Sequence, residues 1–237
     1  EPYNRKIWKF DPTFMDTQMV ERIPKPPKKD IINSSKGIVT EGYKHQLFFQ
    51  YPKSKGIQAL FDVYKNSLNQ KNNILLNQKI KFVKKEKKNF VVSTNNKILK
   101  SDILLSTIPL NEFCEIYSGT PENILNISKN LKFNSIIICL INIKGEFGGN
   151  NFAFMVPDKD IIFHRISKLD FLGKNYSHLK TTSFLVEITF RKGDYISRLK
   201  NNEIIDKIHQ GLVKLKFSRN KNNINFFQIK KFKYAYV

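Results

Sequence analysis

Apolar residues at Ile57, Leu60, Phe61, Tyr64 and Leu68 follow the spacing of one helix face and predict a buried helix over Gly56–Leu68. The pattern then changes. Ile74–Val83, Phe90–Thr94 and Asp102–Thr107 read as strands separated by charged turns, and the third runs into a Ser-Thr-Ile-Pro-Leu corner. Pro109 suits the first turn of a helix, where its missing N–H would be unbonded anyway. Helices are expected over Asn111–Tyr117 and Glu122–Asn130. From Asn134 onward strands dominate: Ser135–Ile143, Asn151–Val156, Ile161–Ile166 and Thr182–Phe190, the last alternating Phe184, Val186, Ile188 and Phe190 on one face. A helix over Asn201–Lys216, carrying Ile204, Ile205, Ile208, Leu212 and Leu215, precedes a strand near Asn225–Tyr234. Asp11-Pro12 is a helix-start signal. Pro24–Gly37 and Arg219–Asn223 read as loops. Successive strands with few intervening helices imply a mixed or antiparallel sheet, and hence a second region beside the strand–meander–strand segment.

Composition adds bounds. The 237 residues suffice for one large domain or two small ones. The charge is +21, from 41 Lys and Arg against 20 Asp and Glu. That balance raises a basic, non-catalytic nucleic-acid-binding module as one reading. The lysines are scattered among Asn and Ile, and the densest patch, Lys79–Lys88, falls on a strand edge and turn, so a solvated face accounts for it better. Cys114 and Cys139 each lie in an apolar run and read as buried free thiols, which fits a reducing, cytoplasmic setting. No run of about 18 apolar residues is present to span a membrane. The first residues are not those of a signal peptide, and a start without Met suggests a chain beginning inside a longer protein. The four histidines have no metal-ligand spacing, and no Gly-x-Ser-x-Gly elbow occurs.

Three blocks carry a family resemblance. Pro2-Tyr-Asn-Arg-Lys-Ile-Trp8, followed by Pro12 and Met15, is similar to a "P-Y-N-x-K-x-W" segment. Tyr51-Pro-Lys-Ser-Lys-Gly-Ile-Gln-Ala-Leu60 resembles "Y-P-x-G-G-I-x-x-L", with Lys55 at the first glycine. Ile80 and Val83, then Asp102, Thr107 and Pro109, fall on "V-x-x-I" and "a-D-x-V-I-x-T-x-P". These blocks, in this order, resemble the FAD-dependent amine oxidase, protoporphyrinogen oxidase and UDP-galactopyranose mutase superfamily. A further stretch, Phe154–Arg165, is similar to the mutases' "Y-F-P-E/D … F-Y/H-R", with Met155 where they carry a tyrosine.

The resemblance implies an α/β fold: part of an FAD/NAD(P)-binding Rossmann-like domain, plus a mixed or antiparallel sheet substrate domain with packed helices. It places substrate-domain helices and a loop in residues 1–43, the remainder of the FAD-binding domain in 44–118 and the substrate sheet in 119–237. FAD is the implied cofactor, facing Gly56, Ile80, Thr107 and Pro109, and strand Ile74–Val83 is expected beside Asp102–Thr107. Asn4, Trp8, Arg22 and Arg165 match substrate-binding positions, with a nucleotide-sugar as the small-molecule substrate. For Trp8 alone, packing against the core is the stronger reading. Arg165 reads equally as a surface ion-pair residue. Catalysis in the family is flavin-borne, so no catalytic side chain is expected. Oxidation of an amine or porphyrinogen is the alternative to the mutase reaction. The ten glycines contain no Gly-x-Gly, so the phosphate-cradling turn is expected upstream and a closing segment beyond Val237. Residues 1–237 alone are expected to bind FAD weakly and to catalyse nothing.

Overall fold

The computed structural model describes residues 2–16, 26–38, 40, 49–68 and 73–236. In chain order these form α1 (Pro2–Trp8), a 3-10 turn (Pro12–Phe14), α2 (Lys28–Ser35), α3 (Gln58–Ser67), β1 (Ile80–Glu86), β2 (Asn89–Thr94), β3 (Ile98–Ser101), α4 (Leu110–Ile116) and α5 (Glu122–Lys129). There follow β4 (Asn134–Lys144), β5 (Ala153–Met155), β6 (Arg165–Lys168), β7 (Thr181–Phe190), α6 (Tyr195–Arg198), α7 (Asn201–Lys214) and β8 (Ile224–Tyr236). The chain divides into two compact units: Glu1–Lys65 with Ile136–Phe232, and Asn66–Ser135 with Lys233–Val237.

The first unit is built on a five-stranded sheet of order β5-β6-β7-β4-β8, antiparallel from β5 to β7. On one face Ile137, Cys139, Ile141 and Ile143 of β4 lie with Phe184, Val186 and Ile188 of β7, and Ile204, Ile208 and Leu212 of α7 close the core. Glu203 caps the start of α7, its carboxylate accepting from the Lys200 backbone N–H at 2.7 Å. The other face of β7 is buried as well, because α1 covers it: Thr189 donates its hydroxyl to the Lys6 carbonyl at 3.0 Å. Polar residues on that face are paired across strands. Asn142 donates to Thr181 and Ser183 at 3.1 and 2.9 Å and accepts from Asn225 at 2.7 Å.

The second unit is a meander of order β1-β2-β3 with α4 and α5. Its small core holds Val83, Val91, Val92 and Cys114. Val83 bridges Tyr117 in parallel, and its carbonyl accepts from Ser118 N–H at 2.9 Å, so the chain after α4 closes the free edge of β1.

Several expectations are corrected. β1 begins at Ile80 rather than Ile74, and the third strand of the meander is Ile98–Ser101. Asp102–Thr107 is not a strand and does not lie in a sheet beside β1; Ile103 and Leu105 are 83% and 88% exposed. A strand is defined by a neighbour, and apolar alternation without one leaves extended chain. Within Pro24–Gly37 lies α2, set behind Pro26-Pro27 with Asp30 in its first turn, so prolines read as loop were helix-entry signals. Ile161–His164 is buried but irregular, and β6 starts only at Arg165. The helix at Gln58–Ser67 forms, yet its apolar face is open, with Phe61 61% and Tyr64 70% exposed.

Candidate functional site

In the first unit, α1 brings the Tyr-Asn-Arg-Lys-Ile-Trp segment against the hairpin that ends on Arg165. Tyr3 donates its hydroxyl to Met155 Sδ at 3.0 Å, and Met155 stands opposite Arg165 in the β5–β6 register. Lys6 Nζ donates to the carbonyls of Val156 and Asp158 at 3.0 and 2.7 Å, which fastens the helix to the turn after β5. Burial pulls the Lys6 ammonium down to about 8, against the opposing pull of Asp158. Trp8 is half-buried, and its carbonyl accepts from Arg191 Nη2 at 3.3 Å. Asn4 is exposed on the same helix. Arg22 lies outside the described residues.

Arg165 is held from behind. Its Nε donates to Glu187 Oε1 at 2.7 Å, and its Nη2 lies 2.6 Å from the same oxygen. The two residues face each other in the β6–β7 register. His164 is 1% exposed, and neither ring nitrogen has a hydrogen-bond partner among the described residues. Burial, reinforced by the charges of Arg165, Lys6 and Lys9, pushes its pKa down to about 3, so the ring is neutral.

Gly56 lies elsewhere in this unit, in the turn before α3. It has φ of 59°, and Lys55 beside it has φ of 62°. A Cβ at Gly56 would meet only the Tyr51 hydroxyl at 3.4 Å, an ordinary contact, so this glycine serves the backbone conformation rather than a close approach. The turn is pinned by Tyr176, whose hydroxyl accepts from Gly56 N–H at 2.9 Å and donates to Pro52 C=O at 2.8 Å. Asn175 adds a bond to Lys53 C=O at 2.8 Å.

In the second unit, Ile80 opens β1 at a bulge: Ile80 pairs with Thr94 but Phe82 with Ser93, leaving Lys81 out of the ladder. Here Ile80, Ile108, Ile116, Lys79, Lys81 and Glu112 line a cleft of about 530 Å³, within the range of small-molecule sites. Glu112 accepts from Lys233 Nζ and the Tyr234 hydroxyl, both at 2.8 Å, and these bonds hold its carboxyl below the usual range. Pro109 precedes α4 as its N-cap, one position earlier than expected, and Thr107 is exposed. The cleft sets the apolar side chains of Ile80, Ile108 and Ile116 beside the ladder-free backbone at Lys81. A Gly-x-Gly phosphate cradle is not in the sequence.

Glu187, Tyr176 and His164 were not anticipated from sequence. Glu187 alone left a trace, as a single acid inside Phe184–Phe190. Among the described residues no group of three His, Cys, Asp or Glu side chains could hold a metal, and no helix is long and apolar enough to cross a membrane.

No family model and no curated protein sequence matches the chain. Solved structures do. The crystal structure of reduced UDP-galactopyranose mutase superposes with a TM-score of 0.86 at 18% identity, over 99% of this chain and 51% of the mutase. A proposed protoporphyrinogen oxidase from an Exiguobacterium species gives 0.62 at 14% identity, over 77% of this chain and 40% of its own. Putrescine oxidase bound to putrescine gives 0.55 at 14% identity, over 73% and 38%. The chain therefore spans about half the length of the mutase it matches. By its fold, the chain resembles a portion of each of these structures.

Proposed function

We propose that this chain is the central portion of an FAD-dependent flavoenzyme that acts on a nucleotide-sugar, in the manner of UDP-galactopyranose mutase. The observation that carries this reading is the likeness over 99% of the chain to the mutase structure, against 77% for the oxidase comparison. FAD supplies the redox or nucleophilic chemistry when bound. The residues of this chain bind and orient. Ile80, Ile108 and the bulged backbone at Lys81 would face the adenine. In the same unit, the Thr107–Pro109 corner would border the cofactor. Arg165 would present its guanidinium fork to the diphosphate, a match for two parallel hydrogen bonds. Asn4 and Arg22 would complete the substrate contacts, with Trp8 fastening α1.

The decisive experiment is turnover of UDP-galactopyranose by the full-length protein with FAD reduced and oxidised. Conversion only with reduced FAD supports the reading. Failure of both, alongside bleaching of the flavin by an amine or a porphyrinogen, would select the oxidase alternative, which the putrescine oxidase likeness keeps in view.

A further inference from the structure

A carboxylate withdrawn from water is costly unless it is paired. Glu187 is 4% exposed, in a strand whose neighbours Val186 and Ile188 are core. Its Oε1 meets both Nε and Nη2 of Arg165, at 2.7 and 2.6 Å, while its Oε2 lies 3.8 Å from His164 Nε2. The neutral His164 adds no positive charge beside it. The backbone reinforces the arrangement, since His164 N–H donates to the Glu187 carbonyl at 3.0 Å. The pair is lopsided: the Glu187 side chain is 5% exposed and that of Arg165 is 38% exposed. The carboxylate is anchored in the sheet, and the guanidinium is partly exposed.

Two N–H groups of one planar guanidinium on a single buried oxygen fix the plane and direction of the fork. We infer that Glu187 is a positioning residue, which aims Arg165 at the phosphate oxygens of a diphosphate-bearing ligand. This rests on the proposed reading of the sheet as the substrate site. An isolated surface ion pair would contribute little and would not need a buried acid.

The test uses UDP and uridine as probes of the full-length protein, with binding measured by calorimetry. Glu187→Gln and Glu187→Asp should each weaken UDP binding by about tenfold or more, the scale of a charged hydrogen bond. Uridine affinity, which involves no phosphate, should stay unchanged, a selectivity that a general loss of structure would not produce. Arg165→Lys, which keeps the charge but loses the fork, should weaken UDP similarly. The double variant Glu187→Gln/Arg165→Lys should be no weaker than Arg165→Lys alone, because the two act as one device. Wild-type UDP affinity in Glu187→Gln beside a weakened Arg165→Lys would overturn the inference. So would additive losses, or an equal fall in uridine affinity. Unchanged UDP affinity in Arg165→Lys would instead remove the substrate-site reading, and the inference with it.

Discussion

Tyr176 and Gly56, 120 residues apart in sequence, share a hydrogen bond of 2.9 Å in which the tyrosine hydroxyl accepts the glycine N–H. The same hydroxyl donates to Pro52 at 2.8 Å, so one oxygen closes both ends of the turn that leads into α3. Tyr176→Phe keeps the ring and its edge contact with Tyr51 but leaves two backbone groups without this partner. A loss of about 1–2 kcal/mol is expected by denaturant unfolding. Hydrogen exchange should quicken at the Gly56 amide; unchanged protection there would show that Tyr176 does not hold the turn.

Lys55 occupies the left-handed region with φ of 62°, where a side chain is strained. Lys55→Gly should stabilise the fold by up to about 1 kcal/mol, the relief of strain exceeding the added chain entropy of glycine. Lys55→Val, β-branched, should destabilise. Urea midpoints of the two variants, moving in opposite directions from wild type, are the check.

Gly211 lies inside α7, where alanine would ordinarily be preferred by about 1 kcal/mol. Here an added Cβ would come within 2.7 Å of Phe163 and 2.8 Å of Ile161, both core side chains. Overpacking of about 1–3 kcal/mol should outweigh the helical gain, so Gly211→Ala is expected to lower the thermal midpoint.

His164 links stability to pH. Its folded pKa, about 3, lies below the unfolded value of about 6.5, so the unfolded chain binds the extra proton between them. Stability from this group is therefore complete above neutral pH and is lost as pH falls through 6.5 toward 3. From pH 7 to pH 5 the loss should be about 2 kcal/mol. His164→Leu should lack that component, so the stability gap between wild type and variant should shift by this amount over the interval; a constant gap would show that the ring does not stay neutral.

Arg165→Ala should destabilise by about 2–3 kcal/mol, less than a fully buried pair because the guanidinium is partly solvated, since it leaves Glu187 charged within the sheet. Arg165→Met/Glu187→Leu should recover most of that loss, because an apolar pair carries no desolvation cost. Equal instability of the single and double variants would show that the pair's cost is packing rather than charge.

Local periodicity determined much of this protein. The 3.6-residue stripe of Gln58–Ser67, the alternation of Thr181–Phe190 and the apolar spacing of α7 appear in the structure as one helix, one strand and one helix. Backbone geometry within a few residues is enough to produce such patterns. The order of the blocks around Trp8, Gly56 and Ile80 likewise pointed to a flavoenzyme fold that the mutase superposition bears out. Tertiary structure decided what each pattern meets. The α3 stripe is exposed, and Asp102–Thr107 has strand-like residues but no ladder, because burial and pairing depend on neighbours that no local window contains. The same reason hid the pairing of Glu187 with Arg165. They lie 22 residues apart, and only the register of β6 against β7 sets a buried carboxylate opposite that guanidinium.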